Sequence, residues 1–525
     1  MQLEMLDASV RSYIDDCINE IKINYEHQIH KLKNNVIEYK NKYLDIKERY
    51  DLLIYKQYMR SAEQLPVDDK QQLLFGNETE PAEPQEQEEE KTEVKSYSRS
   101  KPGRKPIDPR IPREVAIIDI PENDKICACG AHLSRIGVEI KEHLEFVPQR
   151  IFVKQIQRIK YACHCCEGTA EEEEPAVRIA PVPPSMIPRS ISSPSLLSAI
   201  FTHKFEDHLP YYRQEKQFER IGVEISRQDM SNWQQQVFNK LTPLFELLKE
   251  TVKSGPVIQM DETTVQVIRE EGRKYTQDSY MWLARGGPPG KKVVWYEYHE
   301  TRAGKNAKDF LSGYSGYLQT DGYDGYDKAV KDMPGIIHVG CFAHARRYFF
   351  DALKGVDKPE SAGEGIKHIR KLYHLEDELR SQNLDDQKFL LERKKHANPI
   401  LEKFKAWLLK RVEEVPPSRL LGKAIHYSLS QWDKMTAYLE SPFLTPDNNA
   451  CENSIRPFVL GRKNWLFCQV PEGAKSSCGI YTLIETAKQN GFIPAHYLTA
   501  LFEKAPYAST PEDWEKLLPW NIFTA

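Results

Sequence analysis

Three acidic residues stand in settings that suit metal-assisted phosphoryl chemistry: Asp261 in VIQMDETTVQV, Asp321 in GYLQTDGYDGY and Glu452 in DNNACENSIRPFVLGRKNWLF. Carboxylate oxygens bind hard divalent cations, and Mg²⁺ is commonly held by a few of them together with water and substrate phosphate. Two such ions can clamp the attacking and leaving oxygens of an in-line displacement. A site of this kind would cut or join nucleic-acid backbones, using Mg²⁺ or Mn²⁺. Asp261 lies inside an apolar strand pattern, where an unpaired carboxylate is costly. Gly322 is expected to let the backbone bend just after Asp321. Glu452 is followed by Arg456 at i,i+4 spacing and then by Arg462 and Lys463, cations suited to backbone phosphate. Plainer roles stay open: Asp261 as the partner of a buried arginine, Asp321 as a turn residue, Glu452 as a salt bridge to Arg456. Glu262, Asp324, Asp447 and the more distant Glu485 are competing carboxylates.

A second cluster is made of thiols. Five of the 10 cysteines fall together, with Cys127 and Cys129 as a C-x-C and Cys163 and Cys166 as a C-x-x-C. Four thiolates in two close pairs satisfy tetrahedral Zn²⁺. Cys165 could replace either downstream ligand, and His132 and His164 are within reach. The role would be structural, since a small β-rich module holds little core without a staple.

These groups need elements to position them. Residues 1–60 lack Pro and Gly and read as one helix. Ile29, Leu32, Val36, Tyr39, Tyr43, Ile46, Tyr50 and Leu53 recur at alternating steps of three and four, a coiled-coil seam. A single amphipathic helix lying on the protein's own body fits the same pattern. Residues 61–110 lack periodicity and read as a disordered linker, acidic over 78–90 and basic afterwards. Its SRSKPGRKPIDPR stretch, with Arg104 and Lys105 at the tip, resembles an arm that lies along a DNA groove, or else a solvated basic linker. Residues 111–180 alternate like short strands around the cysteines. Residues 181–250 return to helices: Ser193-Pro194 opens one, Gly222 interrupts two others, and Ser226 caps a helix carrying Arg227, Gln228, Ser231, Asn232 and Gln234. That is helix-turn-helix spacing with a polar outer face, although an ordinary helical hairpin has the same spacing. Residues 251–345 read as three strands, then helix, strand, helix and strand, the order of a ribonuclease-H-like α/β core. Residues 346–440 form a helical insertion, and residues 441–525 complete the core with helices. In such a fold Asp261 in the first strand, Asp321 at the end of the fourth and Glu452 at a distant helix start meet at one sheet edge.

At 525 residues and a net charge of -4 the chain calls for two to four domains, and its overall charge gives no argument for nucleic acid. The amino terminus is charged and lacks a signal-peptide pattern. No apolar run approaches the ~20 residues that span a bilayer. A cytoplasmic protein with no membrane partner is expected, and clustered cysteines there favour metal over disulfides.

The matching stretches now reach nearly the full chain: GRKPIDPRIPRE, CACGAHLSRIG with YACHCCE, SMIPRSISSPSLLSAI, DHLPYYRQEKQFERIGVEISRQDMSNW, QMDETTVQV, YLQTDGYDGYD, HVGCFAHARRYF, NNACENSIRPFVLGRKNWLF and LIETAKQNGFIPAHYL. In these the chain resembles the large transposase of the insertion sequence 66 family of bacterial mobile elements. The resemblance implies a multidomain α+β protein: a leucine-zipper-like helix, a zinc module, a helix-turn-helix-like region and a catalytic domain with an Asp-Asp-Glu triad. Residue by residue, the triad falls on Asp261, Asp321 and Glu452, and the zinc ligands on Cys127, Cys129, Cys163 and Cys166. His344, Arg346 and Arg347 occupy the family's HARR segment near the site. Cys451 and Asn453 depart from the expected Ala and Arg beside Glu452 and leave the carboxylate intact. The implied reaction hydrolyses a phosphodiester at each end of the element and uses the freed 3′-hydroxyl to attack target DNA. The implied partners are double-stranded DNA (terminal inverted repeats and target), a second copy of the chain, and accessory proteins of the element. The alternative is a catalytically silent zinc and helix-turn-helix DNA-binding protein of transposon origin.

Overall fold

The computed structural model describes residues 8–58, 151–162, 177–354 and 360–523. The chain divides into two compact units, residues 66–181 and the remainder. In the smaller unit the described elements are β1 (Lys160–Ala162) and β2 (Val177–Ile179), paired antiparallel. Arg104, Lys105, Cys127, Cys129, Cys163 and Cys166 lie outside the described residues.

In the larger unit α1 (Ala8–Tyr58) is a single helix, as the absence of Pro and Gly predicts. Its last turns rest on the body. Glu48 is buried, accepts the Leu420 N–H at 3.3 Å and pairs with Arg419 at 2.8 Å, while Lys56 pairs with Asp351 at 2.9 Å. The seam from Ile29 to Leu53 points elsewhere, and all eight of its apolar residues are exposed. The helix does lie on the body, but through its polar residues Glu48 and Lys56 and not through the apolar seam.

Four helices follow: α2 (Pro194–Phe205), α3 (Tyr211–Arg220), α4 (Arg227–Lys240) and α5 (Thr242–Lys253). Their starts follow local chemistry. Ser193 accepts the Leu196 N–H ahead of Pro194, and Ser226 forms a capping box with Asp229, which satisfies donors that a helix start leaves free. Gly222, at φ +78°, makes the turn between α3 and α4. One expected residue of the outer face is not there. Gln234 is 3% exposed; it accepts from the Tyr211 hydroxyl at 2.7 Å and donates to Ser476 at 2.6 Å. It serves the core because its position turns inward with Met230, Trp233 and Val237. Arg227, Gln228 and Asn232 stay exposed.

The sheet is built from β3 (Val257–Gln266), β4 (Asp278–Gly286), β5 (Val293–His299), β6 (Gly316–Gln319) and β7 (Ile336–Val339), in the order β5-β4-β3-β6-β7. The first three run antiparallel, and β6 and β7 join parallel to β3. Helices α6 (Gly304–Leu311) and α7 (Asp324–Val330) make the crossovers, in the element order read from the sequence. Edge strands expose unpaired N–H groups, and here a helix covers them. In α14 (Pro471–Gln489) Thr482 and Thr486 accept the N–H groups of Tyr296 and Val294 at 3.0 and 3.1 Å. Four residues apart on one helix face, the threonines match alternate residues of β5.

The insertion comprises α8 (Phe342–Lys354), α9 (Glu360–Ser381), α10 (Asp386–Glu414), α11 (Leu420–Ser430) and α12 (Trp432–Thr436), around a core that includes Phe349, Phe404, Trp407 and Trp432. α13 (Asn449–Trp465) returns to the sheet, and α15 (Pro494–Lys504) and α16 (Pro511–Glu515) close the chain. Among the described residues no helix is long and apolar enough to cross a membrane.

The return from the insertion is set by a buried cation. Arg393, wholly inaccessible, donates to the carbonyls of Tyr438, Ser441 and Leu444 at 2.9 to 3.0 Å and pairs with Glu376 at 2.5 Å. Removing the guanidinium would strip the Tyr438 and Ser441 carbonyls of their side-chain donor and leave Arg380 alone on Leu444 and Glu376. Arg393→Ala is expected to cost about 3–5 kcal/mol, read as an earlier denaturation midpoint with loss of order in residues 438–449 by hydrogen exchange.

Candidate active site

The parallel pairing of β3 with β6 matches Val257 to Tyr317, Ile258 to Leu318 and Gln259 to Gln319. Continued two residues further, this register sets Asp321 abreast of Asp261. Asp321 sits just past the end of β6, and its Oδ1 accepts the Tyr323 N–H at 3.0 Å. It is therefore a turn residue, as one of the sequence readings allowed. Gly322 does not take up a left-handed backbone. Its lack of a side chain is needed for space, since a Cβ there would meet the Tyr427 ring at 2.8 Å.

Glu452 arrives from the far side of the insertion in the first turn of α13. Several bonds locate that turn. Gln319 donates to the Thr445 carbonyl at 2.7 Å, Phe342 N–H to Pro446 at 2.9 Å, and the Asn448 side chain to the Met260 carbonyl at 3.0 Å. The Asn448 N–H also meets the Cys341 sulfur at 3.2 Å. The segment before Glu452 is thus tied to β3, to β6 and to the start of α8.

The electrostatics of the group show at Asp261. Burial pushes Asp261 up to about 8, and Glu262, Glu452 and Asp321 add repulsion, against one backbone N–H from Glu262 at 2.9 Å. Its neighbour Glu262 projects from the other face of the strand. There it is held by Arg302 at 2.5 Å and by the Tyr326 hydroxyl, so it is a structural ion pair. Burial raises Asp447, whose oxygens accept from the N–H and side chain of Asn449 at 3.0 and 2.7 Å.

The cation on Glu452 comes from α8 and not from the i+4 residue: Arg347 lies 3.1 Å from Oε2, and Arg456 is exposed. His344 Nδ1 is 3.7 Å from Oε1. Both of these atoms are buried without a hydrogen-bond partner. With Cys341, His344 and Glu452 place one ligand atom each within 4.8 Å of one another. That set includes neither Asp261 nor Asp321; Glu452 acts on Asp261 through its charge. Cys341 was not singled out from the sequence. The signal was present in C-x-x-H at a helix start, where i and i+3 share a face. Burial depresses His344, and Glu452 opposes the shift. The neutral imidazole is the form that ligates metals.

Asp321 has a polar support. His338 bridges the Thr320 hydroxyl at 2.8 Å and Asp327 at 2.9 Å, and Lys434 completes the chain on Asp327 at 2.6 Å. The His338 bond, followed by Lys434, holds Asp327 down at about 2. Arg462 donates to Thr263 and Thr264 of β3 at 3.3 and 2.9 Å, so it is tied to the strand that carries Asp261. Lys463 is exposed.

Comparison with known proteins gives a consistent picture. The model of the family "Transposase IS66 family" matches residues 189–476, and the "IS66 C-terminal element" matches 482–520. A "zinc-finger binding domain of transposase IS66" matches 124–167, and "Transposase C of IS166 homeodomain" matches 45–115. Among curated relatives, the protein y4jD of Sinorhizobium fredii is 31% identical over 422 residues, covering 78% of this chain and 80% of its own. The protein y4hP of the same organism is 29% identical over 449 residues, covering 82% and 78%. Both are named only as uncharacterized proteins.

The raised Asp261 has a signed consequence. Unfolded, the carboxyl titrates near 3.8; folded, near 8. Between these values the folded state binds more protons, so stability falls as pH rises. Without divalent ions, melting temperature should decline from about pH 4 to pH 8. Asp261→Asn should flatten part of that slope in a pH series of thermal melts.

Proposed function

The chain belongs to the IS66 transposase family, and from that membership we propose that it cuts and joins DNA with Asp261, Asp321 and Glu452 as the catalytic carboxylates. The observation that carries this reading is the shared field at Asp261, built from three distant stretches of chain. The strand order, three antiparallel strands followed by two parallel ones, supports a ribonuclease-H-like assignment for residues 251–345 with 441–525, with residues 346–440 as its helical insertion.

The residues fit a hard divalent cation of the Mg²⁺ or Mn²⁺ class. Asp261 is buried among like charges that an ion would neutralise, and Glu452 keeps an unsatisfied buried oxygen. Bound there, the ion would supply Lewis acidity and charge neutralisation at a phosphoryl centre. The protein's own residues do the rest. Asp321 is oriented by its turn and by the His338 chain. Arg347 holds the Glu452 carboxylate. Arg456 and Lys463 face solvent beside the triad helix, where they would position backbone phosphates. Arg462 stiffens the β3–α13 contact, so its phosphate role is secondary to that tie. Arg227 leads the exposed edge of α4 toward DNA, with Arg104 and Lys105 as a further arm on residues 61–110.

Cys127, Cys129, Cys163 and Cys166 fall inside the matched zinc-finger segment, and we assign them the structural Zn²⁺ of residues 111–180. The partners are the terminal inverted repeats and target DNA, with accessory proteins of the element where the reaction needs them. The exposed seam of α1 suits a second copy, because eight apolar residues at heptad spacing would otherwise face water.

Two measurements test this. Asp261→Asn, Asp321→Asn and Glu452→Gln should each lower strand cleavage and strand transfer on the order of 10³-fold while leaving duplex binding in place. Parent-like activity in these variants would return the chain to the silent DNA-binding alternative. Leu32→Glu with Val36→Glu should convert a dimer to a monomer in sedimentation, without unfolding residues 182–525.

A further inference from the structure

The loop that follows the triad helix has an unusual construction. α13 ends at Trp465, and the next residue, Leu466, has φ 67° and ψ -53°. The Phe467 N–H bonds back to the Trp465 carbonyl at 2.9 Å, which closes a γ-turn of the rare, strained hand. A leucine gains nothing locally from this conformation, and glycine would adopt it freely. The strained residue is also displayed: Leu466 is 62% exposed and Phe467 43%.

The loop is held firmly. Cys468 N–H bonds to the Gln266 carbonyl at 2.9 Å, and the Ile268 and Arg269 N–H groups bond to Cys468 and Gln469 at 3.0 Å. The chain after Phe467 thus makes a parallel bridge, Cys468 to Val267, with the extension of β3, the strand of Asp261. The flanking sequence is cationic. From 453 to 475 the charges are Arg456, Arg462, Lys463 and Lys475 against Glu472 alone. An exposed apolar tip on a rigid, basic mount is unlike a face waiting for a protein, which would be broader and less charged.

We propose that Leu466 and Phe467 form an apolar wedge that inserts between base pairs of double-stranded DNA. The inference rests on the reading of the chain as a DNA-acting enzyme and extends it to how the duplex is shaped. Apolar side chains that enter a base step partly unstack it and kink the duplex, at a cost repaid by contacts to the bent DNA. Strain held at an exposed tip is expected where the tip's geometry is used. The position follows from the fold. From Glu452 to Leu466 along α13 is about 20 Å at 1.5 Å per residue, and from Asp261 to the Cys468 pairing along β3 is also about 20 Å. At 3.4 Å per base the wedge meets the duplex about six steps from the cut position.

The test uses the full chain with its zinc bound and a duplex bearing the element's terminal sequence, in Ca²⁺. 2-Aminopurine is scanned through the base steps, and end-to-end energy transfer reports bending. The parent is expected to show a fluorescence maximum about six steps from the cut and a shortened end-to-end distance. Leu466→Gly and Phe467→Ala should each lose most of both signals. Leu466→Gly should melt at or above the parent temperature, which separates a lost wedge from a damaged fold. Retention of the maximum and the bend in Leu466→Gly would overturn the proposal, as would a change of oligomeric state in either variant with DNA shape unaltered. Asp261→Asn keeps the two readings apart, since it should bend DNA fully while failing to cut it.

Discussion

The contact between the Asn448 side chain and the Met260 carbonyl, with the bonds on either side of it, is where the architecture of the site is decided. Residues 438–449 leave the helical insertion, give three carbonyls to Arg393 and then meet β6, α8 and β3 in turn. Only this path brings the first turn of α13 to the open end of β3 and β6. Without it Glu452 would be one more acidic residue at a helix start. The insertion is therefore part of the site's construction, and its Tyr427 ring packs beside Gly322, next to Asp321.

Three carboxylates held in one field store an electrostatic penalty. It shows at Asp261, which burial and the neighbouring carboxylates push up, with one backbone N–H to offset the charge. Glu262 in the same strand is also pushed up by burial, but Arg302 and Tyr326 sit on its oxygens and oppose the shift. The contrast between adjacent residues is informative. One face of β3 satisfies its carboxylate and the other leaves it in need of a cation. Such unmet demand is a mark of functional sites. Around Glu452 the demand is met in part by Arg347, while its other oxygen and His344 face each other unpaired. The support chain from Lys434 through Asp327 and His338 to Thr320 gives Asp321 a firmer base than a loop position would suggest.

Much of this was legible in the order of residues. The long helix, the serine caps, the strand and helix alternation over 257–339 and the helical insertion follow from periodicity and capping chemistry, which act within a few residues. The settings of Asp261 and Glu452 were readable for the same reason: a carboxylate in an apolar strand, and one opening a helix that carries cations. Gln234 was misplaced because a polar side chain on a helix can face a buried polar pocket as readily as water, and Ser476, which receives its bond, is 242 residues away. Gly322 was explained by backbone freedom when the reason was the Tyr427 ring, again from a distant element.

The sequence by itself determined the local vocabulary: where helices begin, which strands alternate, and which side chains have the chemistry to bind metal, zinc and phosphate. Tertiary structure alone decided the partners. It gave Glu452 to Arg347 and His344 instead of Arg456, placed Asp321 beside Asp261 through strand register, and turned Leu466 outward on a strained loop fastened to β3. Short-range rules specify conformation because they involve neighbouring backbone groups. Partnership between residues hundreds of positions apart depends on how whole elements pack, and no local pattern encodes that.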